Sequence, residues 1–112
     1  MNRPLSDEER IALRWDVYAL FGAHLGDPIE DPLWIARIED RLLHFVEADP
    51  ELGFRVATEK IGAEHLVTLY NPRGKFFAAT SSNPDGAFLL AVQNLLESVD
   101  SQQLALLRDP GV

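Results

Sequence analysis

Asp40, His44 and Glu47 are spaced so that, on a helix, two carboxylates and one imidazole share a face. Two oxygens and one ring nitrogen would form a ligand set for a divalent metal. The chain has three histidines, His24, His44 and His65, and no cysteine. No HxxxH or HExxH pattern accompanies them. A built metal site recruits ligands from a second element, so these residues are read as a solvated helix face, with neither metal nor cofactor expected. Ser81-Ser82-Asn83 precedes a helix start, a geometry that can bind anions. Asp85 falls in the first turn and would repel a phosphate, so this stretch is read as a loop and an N-cap. Gly62, Gly74 and Gly86 stand alone rather than in a phosphate loop, and no serine lies in a nucleophile elbow. The pairs Glu8/Glu9 and Glu39/Asp40 are neighbours pointing different ways on helices, not converging acid and base. No catalytic residue is assigned, and the chain is read as not an enzyme. The enzyme alternative is a small metal-dependent hydrolase using Asp40, His44 and Glu47.

A chain of 112 residues makes one domain with one core. No apolar run is long enough to span a membrane, and the first residues lack the apolar core of a signal peptide. Without cysteine there is no disulfide framework and no thiolate chemistry, so the cytoplasm is the expected compartment. The net charge is −8. Such an acidic excess favours solubility and disfavours nucleic acid as a partner. The charge is polarised. Asp27, Glu30, Asp31, Glu39, Asp40, Glu47, Asp49 and Glu51 face only Arg37 and Arg41, whereas Arg55, Lys60, Arg73 and Lys75 outnumber Glu59 and Glu64.

The elements that would position these residues follow from local signals. Ser6-Asp7-Glu8-Glu9 is a capping box opening a first helix, and Gly22 to Gly26 end it. Ile11, Trp15 and Tyr18, with Leu20 or Phe21, form its apolar stripe. Asp31-Pro32 starts a second helix with the proline in its first position, and Asp49-Pro50 ends it. Trp34, Ile35, Ile38, Leu42, Phe45 and Val46 line its inner face. Both tryptophans are expected in the core. Three strands follow near 54–60, 65–70 and 75–80, joined by turns at Gly62-Ala63-Glu64 and Asn71-Pro72-Arg73-Gly74. Asn83-Pro84 opens a third helix with Phe88, Ala91, Val92, Leu95, Leu96 and Val99 inward. A last helix runs from Asp100 or Ser101 to Arg108 and ends at Pro110-Gly111. The fold class is therefore α+β: a single domain over 1–112, a three-stranded antiparallel sheet with flanking helices, in the order α-α-β-β-β-α-(α).

In the second and third strands apolar residues fall on both faces: Leu66 against Val67 and Leu69, Phe76 against Phe77. Either helices cover both faces or one face meets a partner. Four helical segments suffice for the first, which is the expectation here.

Helix, three antiparallel strands and helix is also the order of double-stranded RNA-binding domains, and the run Gly74 to Ser82 resembles the end of one. That family grips phosphates with lysines at the start of its last helix, where this chain reads Asn83-Pro84-Asp85-Gly86-Ala87-Phe88. RNA binding by that mode is not expected. Residues 31–99 give a helix, a short antiparallel sheet and a closing helix entered from a Thr/Ser stretch with a proline, and Pro84, Ala87, Ala91 and Leu95 fall in matching places. This layout resembles the small phage α-β-α sandwich family. The resemblance implies that fold and a phage or bacterial source. It supplies no catalytic residues, and the helix at 6–22 is an addition to it.

The expected function is that of a non-enzymatic accessory or protein-binding protein acting through its acidic segment. Glu39, Asp40 and Glu47, with Arg73 and Lys75 in the basic turn, are the candidate contact residues. The alternatives are an acidic nucleic-acid mimic that occupies a basic groove on a host or defence protein, and a structural protein that self-associates as a homodimer through its sheet.

Overall fold

The computed structural model describes residues 6–21, 25–44 and 53–108. The order is α1 (Asp7–Phe21), α2 (Trp34–His44), β1 (Arg55–Ile61), β2 (Glu64–Tyr70), β3 (Phe76–Ser81), α3 (Pro84–Ser98) and α4 (Ser101–Arg108). The strands form an antiparallel sheet in the order β1-β2-β3. This is the α+β arrangement read from the sequence.

Helix starts follow local chemistry. The Glu9 amide donates to the Ser6 hydroxyl and the Ser6 amide to the Glu9 carboxylate, each at 3.2 Å. Asp100 and Gln103 repeat this reciprocal pair at the start of α4. Pro84 opens α3 behind Asn83, whose backbone is extended. At α2 the expectation shifts by two residues. Asp31 caps a turn through Pro32 and Leu33, with the Leu33 amide donating to its carboxylate, and the helix begins at Trp34. Asp27 fixes the loop before it: its carboxylate accepts the amides of Ile29 and Glu30, both at 2.8 Å. Those two bonds hold its pKa below the usual aspartate value. The expected end of α2 at Asp49-Pro50, with Phe45, Val46 and Glu47, lies outside the described residues, as do Gly22 to His24 and Pro110-Gly111.

The two hairpin turns set the strand register. Ile61 pairs with Glu64, so Gly62-Ala63 is a two-residue loop; Gly62 has φ +63°, and among the described residues only glycines have positive φ. A left-handed first position alone is the pattern of a type II′ turn. The second turn is organised by buried Asn71, whose side-chain oxygen accepts the amides of Arg73 (3.1 Å) and Lys75 (2.9 Å).

The core lies between one face of the sheet and the helices. Val67 and Leu69 of β2 are buried with Phe54 and the inner residues of all four helices. α3 lies on β2 and β3, α1 packs against α3, and α2 meets β1, where the Phe54 amide donates to the Leu42 carbonyl at 3.1 Å. Burial on α3 spans most of its circumference, from Gly86 through Phe88, Leu89, Ala91 and Val92 to Leu96.

Two expectations are corrected. The buried residues of α1 are Leu13, Val17 and Phe21, while Ile11 and Trp15 lie on the outer side, Trp15 with 45% of its surface exposed. Trp15 stacks edge-on with Tyr18 rather than entering the core. Trp34 is fully buried as expected. Among the described residues, the helices also cover only one face of the sheet. Phe77 faces inward, its ring 5.7 Å from that of Phe54, whereas Phe76 is 69% exposed.

Arginines lock the helices together. Arg41 on α2 donates to the carbonyls of Leu107 and Arg108, both at 2.6 Å, at the end of α4. Arg108 in turn donates to the carbonyls of Leu20 and Ala19 at the end of α1. Arg37 pairs with Asp31 and donates to the Leu25 carbonyl. Cations at helix C-termini satisfy the carbonyls that the helix leaves open.

Two outcomes check this arrangement. With Trp15→Phe, the remaining Trp34 should emit at short wavelength and resist acrylamide quenching; with Trp34→Phe, the remaining Trp15 should emit at long wavelength and be quenched readily. Asn71→Ala should lower the urea-unfolding free energy by about 1–2 kcal/mol, because two turn amides lose their acceptor, and Asn71→Asp should lower it less.

Candidate functional site

Strand register assigns every sheet residue to a face. Arg55 lies opposite Tyr70, and Tyr70 opposite Phe76; Ala57, Thr68 and Ala78 make the next outward row, and Glu59, Leu66 and Thr80 the third. Ile61 and Glu64 complete the outward face beside the first hairpin turn. The inward rows are Val56, Leu69 and Phe77, then Thr58, Val67 and Ala79, then Lys60, His65 and Ser81. Alternation along each strand accounts for the division.

The outward face is apolar at both ends and smooth in the middle. Tyr70 and Ile61 expose 42% and 55% of their surface alongside Phe76. Ala57 and Ala78 are exposed and short, so another flat surface can approach the centre closely. Arg55 stands beside Tyr70 at the aromatic end, and the adjoining turn carries Arg73 and Lys75, both exposed. At the other end stand Glu59 and Glu64. Among the described residues, none of Arg55, Glu59, Arg73 and Lys75 has an ion-pair partner within the chain. The face thus combines exposed aromatic and aliphatic groups with unpaired charge of both signs. These are the ingredients of a docking surface, where aromatic anchors concentrate binding energy.

The residues singled out from the sequence do not come together. Arg73 and Lys75 flank the open face. Glu39, on α2, is half-buried and lines a shallow cleft with Arg14, Ile29, Asp31, Ile35 and Asp85. Asp40 is exposed and is not among the lining residues of that cleft. Glu47 lies outside the described residues. His44 is exposed, and no group of three His, Asp or Glu side chains among the described residues is arranged to hold a metal ion. Within the cleft, Arg14 donates to the Pro28 carbonyl at 2.9 Å, lies 3.6 Å from Asp85 and sits 6.0 Å from the centre of the Trp34 ring. Arg14 ties α1 to the loop and to α3. Ser81 is used locally as well, its hydroxyl accepting the Asn83 amide at 3.2 Å.

Arg55, Tyr70 and Phe76 were not among the sequence candidates. The signal was present: two tight turns fix the register, and the register aligns these three residues in one row. What alternation could not supply was which row the helices leave uncovered.

Comparison with protein-family models, with curated proteins and with solved structures finds no match for this chain. Among the described residues, no helix is long and apolar enough to cross a membrane.

Neighbours on β3 give a direct check of the two faces. Phe76→Ala should change stability by no more than about 0.5 kcal/mol, as for an exposed site. Phe77→Ala should cost about 2 kcal/mol or more in urea unfolding, because it leaves a void against Phe54.

Proposed function

We propose that this chain is a binding protein, not an enzyme, and that it docks a partner on the open face of its sheet. The carrying observation is the outward row of Arg55, Tyr70 and Phe76, with Phe76 exposing 69% of its surface on an edge strand held to β2 by the second hairpin. A rigid sheet presents such groups without first ordering them, which lowers the entropic cost of association. The face is framed by Arg73 and Lys75 at one end and by Glu59 and Glu64 at the other, so partner orientation is set by charge.

The sequence pointed instead to the acidic helical segment as the contact surface. Two features favour the sheet. Glu39 and Asp40 belong to different surfaces, one lining the cleft and the other outside it. Phe76 is the most exposed large apolar side chain among the described residues and shares an outward row with exposed Tyr70, whereas those on the helical side, Trp15 and Leu33 among them, are each less exposed. The acidic helical side then keeps the complex soluble and turns away nucleic acid.

A photo-crosslinking side chain placed at Ala78 tests this reading in cells that express the chain. It should give a covalent protein adduct, and the same group at Ala12, on the outer side of α1, should not. Absence of any adduct from position 78, or equal adducts from both positions, would contradict it.

A further inference from the structure

We infer that the occupant of the open sheet face is a second copy of this chain, bound about a two-fold axis that crosses the strands through the row Ala57, Thr68 and Ala78. This rests on the reading of that face as a docking surface and names its partner.

The outward face complements itself. A closed two-fold contact uses the same patch on both copies, so the patch must fit itself when turned over. Successive outward rows are two residues, or about 7 Å, apart along the strands. Rotation about the middle row therefore lays the first row of one copy on the third row of the other. Arg55 then meets Glu59, Tyr70 meets Leu66, and Phe76 meets Thr80, each pair occurring twice. Both charges gain the partner they lack within the chain, and each aromatic ring meets a smaller side chain. The middle row stacks Ala57, Thr68 and Ala78 on their own copies, and their small size permits close approach of the sheets.

The other face-to-face choice runs the axis along the strands. It sets Tyr70 on Tyr70 and places Glu59 over Thr80, leaving the carboxylate without a cation. Stacking the weakly basic sheet on the acidic helices of another copy is heterologous and would not close at two. Three strands offer a face of about 14 by 20 Å, or about 560 Å² over the two copies. That is below the size of a stable specific interface, so the dimer is a weak one that dissociates on dilution.

The purified chain should show, by light scattering and sedimentation, a mass rising from one to two chains across the micromolar range and stopping there. Arg55→Glu alone and Glu59→Arg alone should each weaken association by about tenfold or more, since each brings like charges together twice. The double variant R55E/E59R, and an equimolar mixture of the two single variants, should recover it. Circular dichroism of each variant should match the parent, as both side chains are exposed.

A chain that stays monomeric to millimolar concentration would overturn the inference. So would a mass that grows beyond two, a dimer indifferent to the charge exchanges, or single variants that weaken without recovery on mixing. A monomeric chain whose position 78 crosslinks to a different protein would remove the second copy and leave the docking reading intact. An adduct to nucleic acid alone would remove both.

Discussion

Helix α3 is apolar around most of its circumference, and a helix of that kind cannot lie on a surface. The rest of the structure answers this constraint. The sheet covers one side of α3 through β2 and β3, and α1 packs against it as well. Gly86, Ala87 and Ala91, all buried, keep the layers close, while Phe88, Leu95 and Leu96 fill the space between them. Burial of each large side chain contributes about 1.5–3 kcal/mol, so this one helix supplies a large share of the core. The consequence lies across the molecule. Because α3 draws the helices to its own side of the sheet, none packs on the outward face among the described residues. The open face follows from the burial of α3.

Charge is divided along the same line. The described helices and loops carry far more acids than arginines, and several arginines are committed to backbone carbonyls: Arg14 to Pro28, Arg37 to Leu25, Arg41 to Leu107 and Arg108, and Arg108 to Leu20 and Ala19. Those bonds tie α1, α2 and α4 to one another and to the loop between α1 and α2. Asp31 and Asp85 pair with Arg37 and Arg14, and most other acids of that side face water. The sheet reverses the balance, with Arg55, Lys60, Arg73 and Lys75 against Glu59 and Glu64. The helical side carries most of the acids, and the sheet side sets exposed apolar groups beside charges of both signs.

Much of this was legible in the residues because it depends on near neighbours. The capping box at Ser6, the cap and proline at Asn83-Pro84, and the glycine turns at Gly62 and Gly74 each act within a few residues. They place α1, α3 and the three strands to within a residue at the ends described. The errors were tertiary. In α1, Ile11, Trp15 and Tyr18 recur at helical spacing, but so do Leu13, Val17 and Phe21. Periodicity does not choose between the two stripes; the position of α3 does. The same holds for the sheet. Strands apolar on both faces are compatible with two covered faces, and counting helices cannot reveal that they gather on one side. Of the candidate contacts, Arg73 and Lys75 lie beside the open face, whereas Arg55, Tyr70 and Phe76 emerge only when register is joined to the position of the helices.

The central claim is that adjacent residues of one strand live in different environments, Phe77 under the helices and Phe76 on an uncovered face. Hydroxyl-radical footprinting of dilute protein, read residue by residue by mass spectrometry, measures this directly. The account predicts that Phe76 and Tyr70 are oxidised much faster than Phe77 and Phe88. Equal rates at Phe76 and Phe77, or faster oxidation of Phe77, would contradict it.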